Sequence, residues 1–242
     1  MKDAVAGSLP AFTAIWSRHE APVYDLALAL LRDRRAAWEV TNATFSEASE
    51  HLDALQEPER LLVWLLAITR FQAGMVADAA TALDYHPELP NADAERALMG
   101  GLVWGATADL ELCDRALLDL NLRHGLDGTD LADALGVSSA EGAELEAHMA
   151  DIEKALVGYL IMRRTRKKDQ CGDLSLMLRS WNGRFTSAVA EGIAEHITSC
   201  ASCERTRSDL PSPFTLYASA RPARVPDRND DDDSLDSDEA RI

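Results

Sequence analysis

No apolar run in this sequence approaches the roughly 20 residues that a membrane-spanning helix needs. The opening stretch, MKDAVAGSLPAF, also lacks the apolar core of a secretion signal. A cytoplasmic chain with no membrane partner is therefore expected. Basic charge is scarce: 24 Lys and Arg stand against 41 Asp and Glu, a formal net charge of −17. That balance excludes a protein that simply coats nucleic acid, which needs a basic surface. Part of the excess is local, because DRNDDDDSLDSDEARI near the C-terminus holds eight acids and two arginines, but the rest of the chain still carries −11. Also missing are a phosphate-cradling glycine loop, a nucleophile elbow and a paired His–Asp arrangement. A non-enzyme is expected on that ground.

What is present is helical patterning. Apolar residues recur at helical spacing over 11–31 (Phe12, Ile15, Trp16, Val23, Leu26, Leu30, Leu31), with Pro22 expected to bend the segment. A second helix is predicted over 34–52. A third, over 58–84, opens on Pro58, which suits a first helical turn. The stretch YHPELPNADAERA, from Tyr85, has two prolines and no periodicity and reads as a linker. Helical pattern returns until Ile161. Within it a short helix ends at Leu135, Gly136 breaks it, and Ser138 or Ser139 caps a longer one, the outline of a helix-turn-helix. MRRTRKKDQ then places five Lys or Arg in the six residues Arg163 to Lys168. Beyond Pro211 the composition turns to Pro, Ser and Asp, and disorder is expected.

The chain has four cysteines, and in a cytosolic protein clustered thiols favour metal or redox roles over structural disulfides. AEHITSCASCERT carries His196, Cys200 and Cys203 as HxxxCxxC. Four residues apart on a helix, His196 and Cys200 share a face, and a CxxC turn brings Cys203 to the same ion. The expected fourth ligand is Cys171, at the start of the same segment. Cys113 is its rival, but it lies in an apolar helical stretch, ADLELCDRALLDL, where a cysteine serves as a small buried hydrophobe. A Cys3His set suits one structural zinc ion with no open position for catalysis. Such an ion would stabilise a segment too small to hold a core alone. A redox alternative, in which Cys200 and Cys203 pair and release the metal, stands beside the static clasp.

Taken together, FTAIWSRHEAPVYDLALALLRDRRAAWEVTNATF, ERLLVWLLAITRF and ALLDLNLRHGLDGTDLADALGVS resemble, in order, the conserved stretches of a bacterial sigma-70 factor of the extracytoplasmic-function type. The segment from Cys171 to Arg207 resembles the zinc-binding anti-sigma extensions of some actinobacterial members. The resemblance implies an all-α chain: a sigma region 2-like domain over 8–84, a linker over 85–95 and a sigma region 4-like helix-turn-helix over 96–162. A basic joint over 163–170, a zinc segment over 171–207 and a disordered acidic tail over 208–242 complete it. It also implies binding to core RNA polymerase through Glu39, Asn42 and Phe45. Promoter DNA would be met through Trp64 and Arg70. By its charge alone, the basic joint with Arg163, Arg164, Arg166, Lys167 and Lys168 is the best available phosphate contact.

The stretch expected to read DNA departs from this pattern. Glu141, Glu144, Glu146, Asp151 and Glu153 stand there against one lysine, Lys154, where phosphate contact calls for the opposite charge. The alternative expectation is a degenerate sigma-like adaptor that binds polymerase or another transcription regulator without reading DNA.

Overall fold

The computed structural model describes residues 4, 7–77, 94–142, 144–164, 171–177, 179 and 181–219, and among them every regular element is a helix. The all-α class expected from the sequence is the class observed. Helix α1 spans Leu9–Leu31, with Pro10 in its first turn, and Pro22 lies inside it without ending it. From Val23 onward it is buried almost all round, Asp25 being the half-buried exception, so it is the central helix that others pack against.

It stops at Arg32, whose φ of 58° is left-handed. A side chain with a Cβ rarely adopts that region, and here a buried polar cage offsets the strain. The Arg32 guanidinium donates to Ala29 O (2.9 Å), Trp104 O (3.2 Å) and Thr107 Oγ1 (2.7 Å) and lies 3.6 Å over the Trp104 ring.

Asp33 then caps α2 (Arg34–Glu50) by accepting from the Ala36 amide at 2.7 Å. Two short 3-10 turns, Leu52–Ala54 and Pro58–Arg60, lead into α3 (Leu61–Ala77). The stretch Pro58–Ala77 reaches the length and apolarity of a membrane span, which corrects the expectation that no run comes close. Its Leu65, Leu66, Thr69 and Ala73 are fully buried, and Thr69 pairs with Thr44 of α2. The expected linker lies outside the described residues except at its end, since α4 begins at Ala94.

Helices α4 (Ala94–Ala108), α5 (Leu112–Leu122) and α6 (Gly128–Leu135) follow, and α6 ends at Gly136 with φ 67°. The Gly136 break and the Ser138 cap both fall where the sequence puts them. Glu141 Oε2 accepts from the Ser138 amide (2.8 Å) and hydroxyl (2.7 Å), and the Glu141 amide donates back to Ser138 Oγ (3.3 Å), a reciprocal capping box. The longer helix expected after it comes in two pieces, a single turn α7 (Ser139–Gly142) and then α8 (Leu145–Arg164). Gly142, at the end of that turn, is a poor residue to carry a helix onward.

The C-terminal part holds α9 (Gly172–Met177), α10 (Ser187–Ser199), α11 (Ala201–Arg207) and α12 (Pro213–Ala218). Disorder from residue 208 is thereby corrected for 208–219. Leu216 and Tyr217 are buried, and Tyr217 stacks on Trp104 with centroids 5.3 Å apart. The aromatic payload of one short helix outweighs its Pro- and Ser-rich setting. Residues 220–242 of the expected tail lie outside the described residues.

The core does not divide where the expected domains meet. One apolar cluster runs from Tyr24, Leu30 and Leu66 through Trp104, Leu118 and Leu156 to Ile193, Cys203 and Tyr217. A smaller one joins Phe45, Leu52 and Leu65 with Phe12, Trp16 and Trp64. Helices α1, α2 and α3 each contribute to both clusters, and α1 packs against α2 and α3 and also against α5.

Candidate metal centre

Four ligand atoms meet at the junction of α9, α10 and α11. Cys171 immediately precedes α9. His196 lies in the last turn of α10, and Cys200 ends that helix, its amide donating to His196 O at 3.0 Å. Cys200 is also the residue that opens α11, and Cys203 sits three positions into it. One non-helical residue between two helices therefore turns the chain so that both thiols of the CxxC face the imidazole.

His196 Nε2 lies 3.3 Å from Cys171 Sγ and 3.4 Å from Cys203 Sγ, and Cys171 Sγ lies 3.6 Å from Cys200 Sγ. All four ligand atoms fall within 4.8 Å of one another, so the set could hold a metal ion. Cys203 is buried and the other three are half-buried. Burial pushes the Cys203 thiol up to about 12, with the neighbouring Cys200 adding to the effect. The Cys200 thiol moves down, first through the Cys203 amide pointing at its sulfur. A divalent cation beside such a buried thiol supplies the charge that lets it ionise.

Cys113 is not in the set. It is exposed on α5, contrary to the buried hydrophobe expected there. Its neighbours Asp114, Ala116, Leu117 and Leu118 take the inward positions of that helix, leaving Cys113 on the outer side.

The metal segment is docked on the helices before it. Asp109 accepts from Arg184 Nε (3.2 Å) and from the Phe185 amide (3.0 Å). Asp114 accepts from Ser187 Oγ at 3.2 Å and lies 2.8 Å from His148 Nε2. The buried Phe185 packs on Tyr159 at 5.1 Å. Helix α10 lies along α8 at Gly158, where a Cβ would come 2.0 Å from Ile193 Cγ2. Sequence reasoning missed Asp109 and Asp114, since single acids at a helix end and in a first turn carry no motif.

This chain matches no family model, no curated protein and no solved structure.

Of the residues expected to meet polymerase, Glu39 and Asn42 are exposed on α2. Glu39 pairs with Arg35 (3.1 Å), and Asn42 donates to Trp38 O. Phe45 cannot join that surface. It is fully buried against Trp16, with centroids 4.3 Å apart, because its position on α2 faces α1 and α3.

The residues expected to meet DNA are placed as follows. Trp64 is half-buried and lines a cavity of about 280 Å³. Arg70 Nε donates to Ala134 O at 3.2 Å, at the end of α6. Arg163 is half-buried, donates to Tyr159 OH at 3.0 Å and lies over the Tyr159 and Trp181 rings, so it serves the docking of the metal segment. The side chain of Arg164 and the residues Arg166, Lys167 and Lys168 lie outside the described residues.

Proposed function

We propose that this chain is a sigma-like transcription initiation factor that binds core RNA polymerase and promoter DNA and carries a zinc-stabilised C-terminal segment. The observation that supports the reading is the order of elements. A helical bundle ends in α3, and α6, the Gly136 turn and the α7–α8 pair come after it. This is the succession that the resembled family uses for its −10 and −35 modules. Glu39 and Asn42, exposed on α2, are the surface offered to polymerase.

Zinc is the metal that the donor set suits. Sulfur ligands at about 2.3 Å and nitrogen at about 2.0 Å give tetrahedral edges of about 3.5–3.8 Å. Three of the six separations, at 3.3, 3.4 and 3.6 Å, lie close to those edges, and all fall within 4.8 Å. Four protein ligands fill a tetrahedron, so the ion would be structural. It would fix the crossing of α9, α10 and α11 and so the face that α10 lays on α8. The test is co-purification with core polymerase followed by transcription from a promoter library. Neither binding nor promoter-dependent transcript would overturn the reading.

A second reading is favoured by one observation: two of the cations expected to meet DNA, Arg70 of α3 and Arg163 of α8, are engaged within the protein. In this reading the chain is an adaptor that binds polymerase or another regulator without reading DNA. Holoenzyme that binds without promoter selectivity, and with little salt dependence, distinguishes it from the first.

A further inference from the structure

Two cations of the first helical bundle grip one helix of the next. Asp130 and Asp133 lie three residues apart and share a face of α6. Arg60, in the turn before α3, reaches both: its Nη2 is 2.6 Å from Asp130 Oδ1 and 2.6 Å from Asp133 Oδ2, and its Nε is 3.1 Å from Asp130 Oδ1. At the other end of the contact, Arg70 Nε donates to Ala134 O in the last turn of α6, a helix end whose carbonyls lack helical partners. The Arg70 guanidinium also closes over Gly136, where a Cβ would meet its Nη2 at 2.8 Å. Between the two arginines, Val63, Trp64, Ala67 and Asp133 line the same cavity. Helix α6 thus covers one side of α3 and occupies a cation at each end.

The grip faces water. Arg60 keeps 34% of its side-chain surface, Asp130 45% and Asp133 55%. Exposed pairs of this kind are weak and screened by salt. Two carboxylates on one face of a helix also offer arginine what a run of phosphates offers it: paired anionic oxygens at bidentate range. We propose that α6 is an intramolecular mask. Asp130 and Asp133 take the place of nucleic-acid phosphates on Arg60, the end of α6 takes their place on Arg70, and the covered face of α3 opens to DNA only when α6 moves. This rests on the reading of α3 as a DNA-facing helix.

The test compares full-length protein with the D130N/D133N variant, which leaves both arginines in place. The charge-matched control, D173N/E191Q, changes exposed acids of the metal segment that touch neither α3 nor α6. Two quantities are measured: hydrogen exchange over residues 126–137, and low-salt affinity for a fluorescent DNA duplex of random sequence. The mask predicts roughly tenfold faster exchange in α6 and a roughly tenfold gain in DNA affinity beyond the control. R60Q provides a second reading should the double variant fold poorly. It frees α6 but removes the cation, so exchange rises while DNA affinity does not. Unchanged exchange in D130N/D133N overturns the mask, since apolar contact alone would then hold α6. Affinity that rises no more than in the control also overturns it. Faster exchange with no DNA gain overturns the masking of DNA and locates the failure in the sigma-like reading, not in the grip.

Discussion

Gly158 of α8 and Ile193 of α10 meet so closely that a single methyl group on Gly158 would lie 2.0 Å from Ile193 Cγ2 and 3.1 Å from Ile197 Cγ1. Helix propensity alone favours alanine at a helix interior by about 1 kcal/mol. The crossing overrides it, because the overpacking cost at a tight contact is about 1–3 kcal/mol. Gly158→Ala is therefore expected to be destabilising, and Gly158→Val more so. Urea unfolding checks this. A Gly158→Ala protein as stable as wild type would mean that the two helices do not cross here.

Metal removal should act on the segment 171–207 first. Purified protein is expected to hold one zinc ion, and Cys171→Ser or Cys203→Ser should lower that to a small fraction of an equivalent. Without metal the segment loses the contact that joins α9, α10 and α11, and protease cleavage within it should rise on adding a chelator. Metal analysis and limited proteolysis read both effects. A Cys113→Ser variant should retain its full metal content.

Tyr217 is the C-terminal anchor of the core. Its hydroxyl donates to the buried Asp119 at 3.2 Å, and Asp119 also meets Arg123 (2.9 Å) and His124 (3.2 Å). Tyr217→Phe is expected to cost about 1–3 kcal/mol through the lost bond to a charged acceptor. Tyr217→Ala, which also uncovers Trp104, should cost about 3–5 kcal/mol. Denaturation followed by tryptophan fluorescence separates these from an unanchored tail, for which neither change would matter.

A pH dependence follows from Asp25. Burial raises its carboxyl from 3.8 to about 7, against the pull of Arg123, with Asp119 pushing the same way as burial. The folded protein therefore binds a proton that the unfolded chain has lost between about pH 4 and pH 7, and stability from this group falls as pH rises through that window. Asp119 behaves oppositely: burial works to raise it, but Arg123 and His124 outweigh that and hold it low. Asp25→Asn should gain about 1–3 kcal/mol on wild type between pH 5 and pH 8. Melting curves at the two pH values check the difference, and equal offsets at both would refute the assignment.

How much of this was legible in the sequence depends on how local each signal is. The Gly136 break, the Ser138 cap and the HxxxCxxC turn are written within a few residues and were readable. The second helix, expected over 34–52 and found at Arg34–Glu50, was readable from periodicity. Phe45 was misplaced because the resemblance set it on a binding surface against its apolar character, and Cys113 because periodicity says that a helix has an inner face but not which of its residues a partner presses on. The order of 208–219 was hidden for another reason. Composition argued for disorder there, and the contradicting fact, a tyrosine docking on Trp104 and Asp119, is a contact across 98 residues of chain in its hydrogen bond. Arg70 was legible as a cation and illegible as a cap, since its carbonyl partner lies 64 residues away.

That distant tyrosine bears on how the protein is made. A ribosome delivers Trp104 and Asp119 well before Tyr217, so for much of synthesis the growing chain carries an open aromatic pocket next to the buried carboxylate. Long-range closures of this kind are slow and leave apolar surface uncovered while they wait. Until residue 217 has emerged, the helices before α12 hold a core that Tyr217 has yet to close over Trp104 and Asp119.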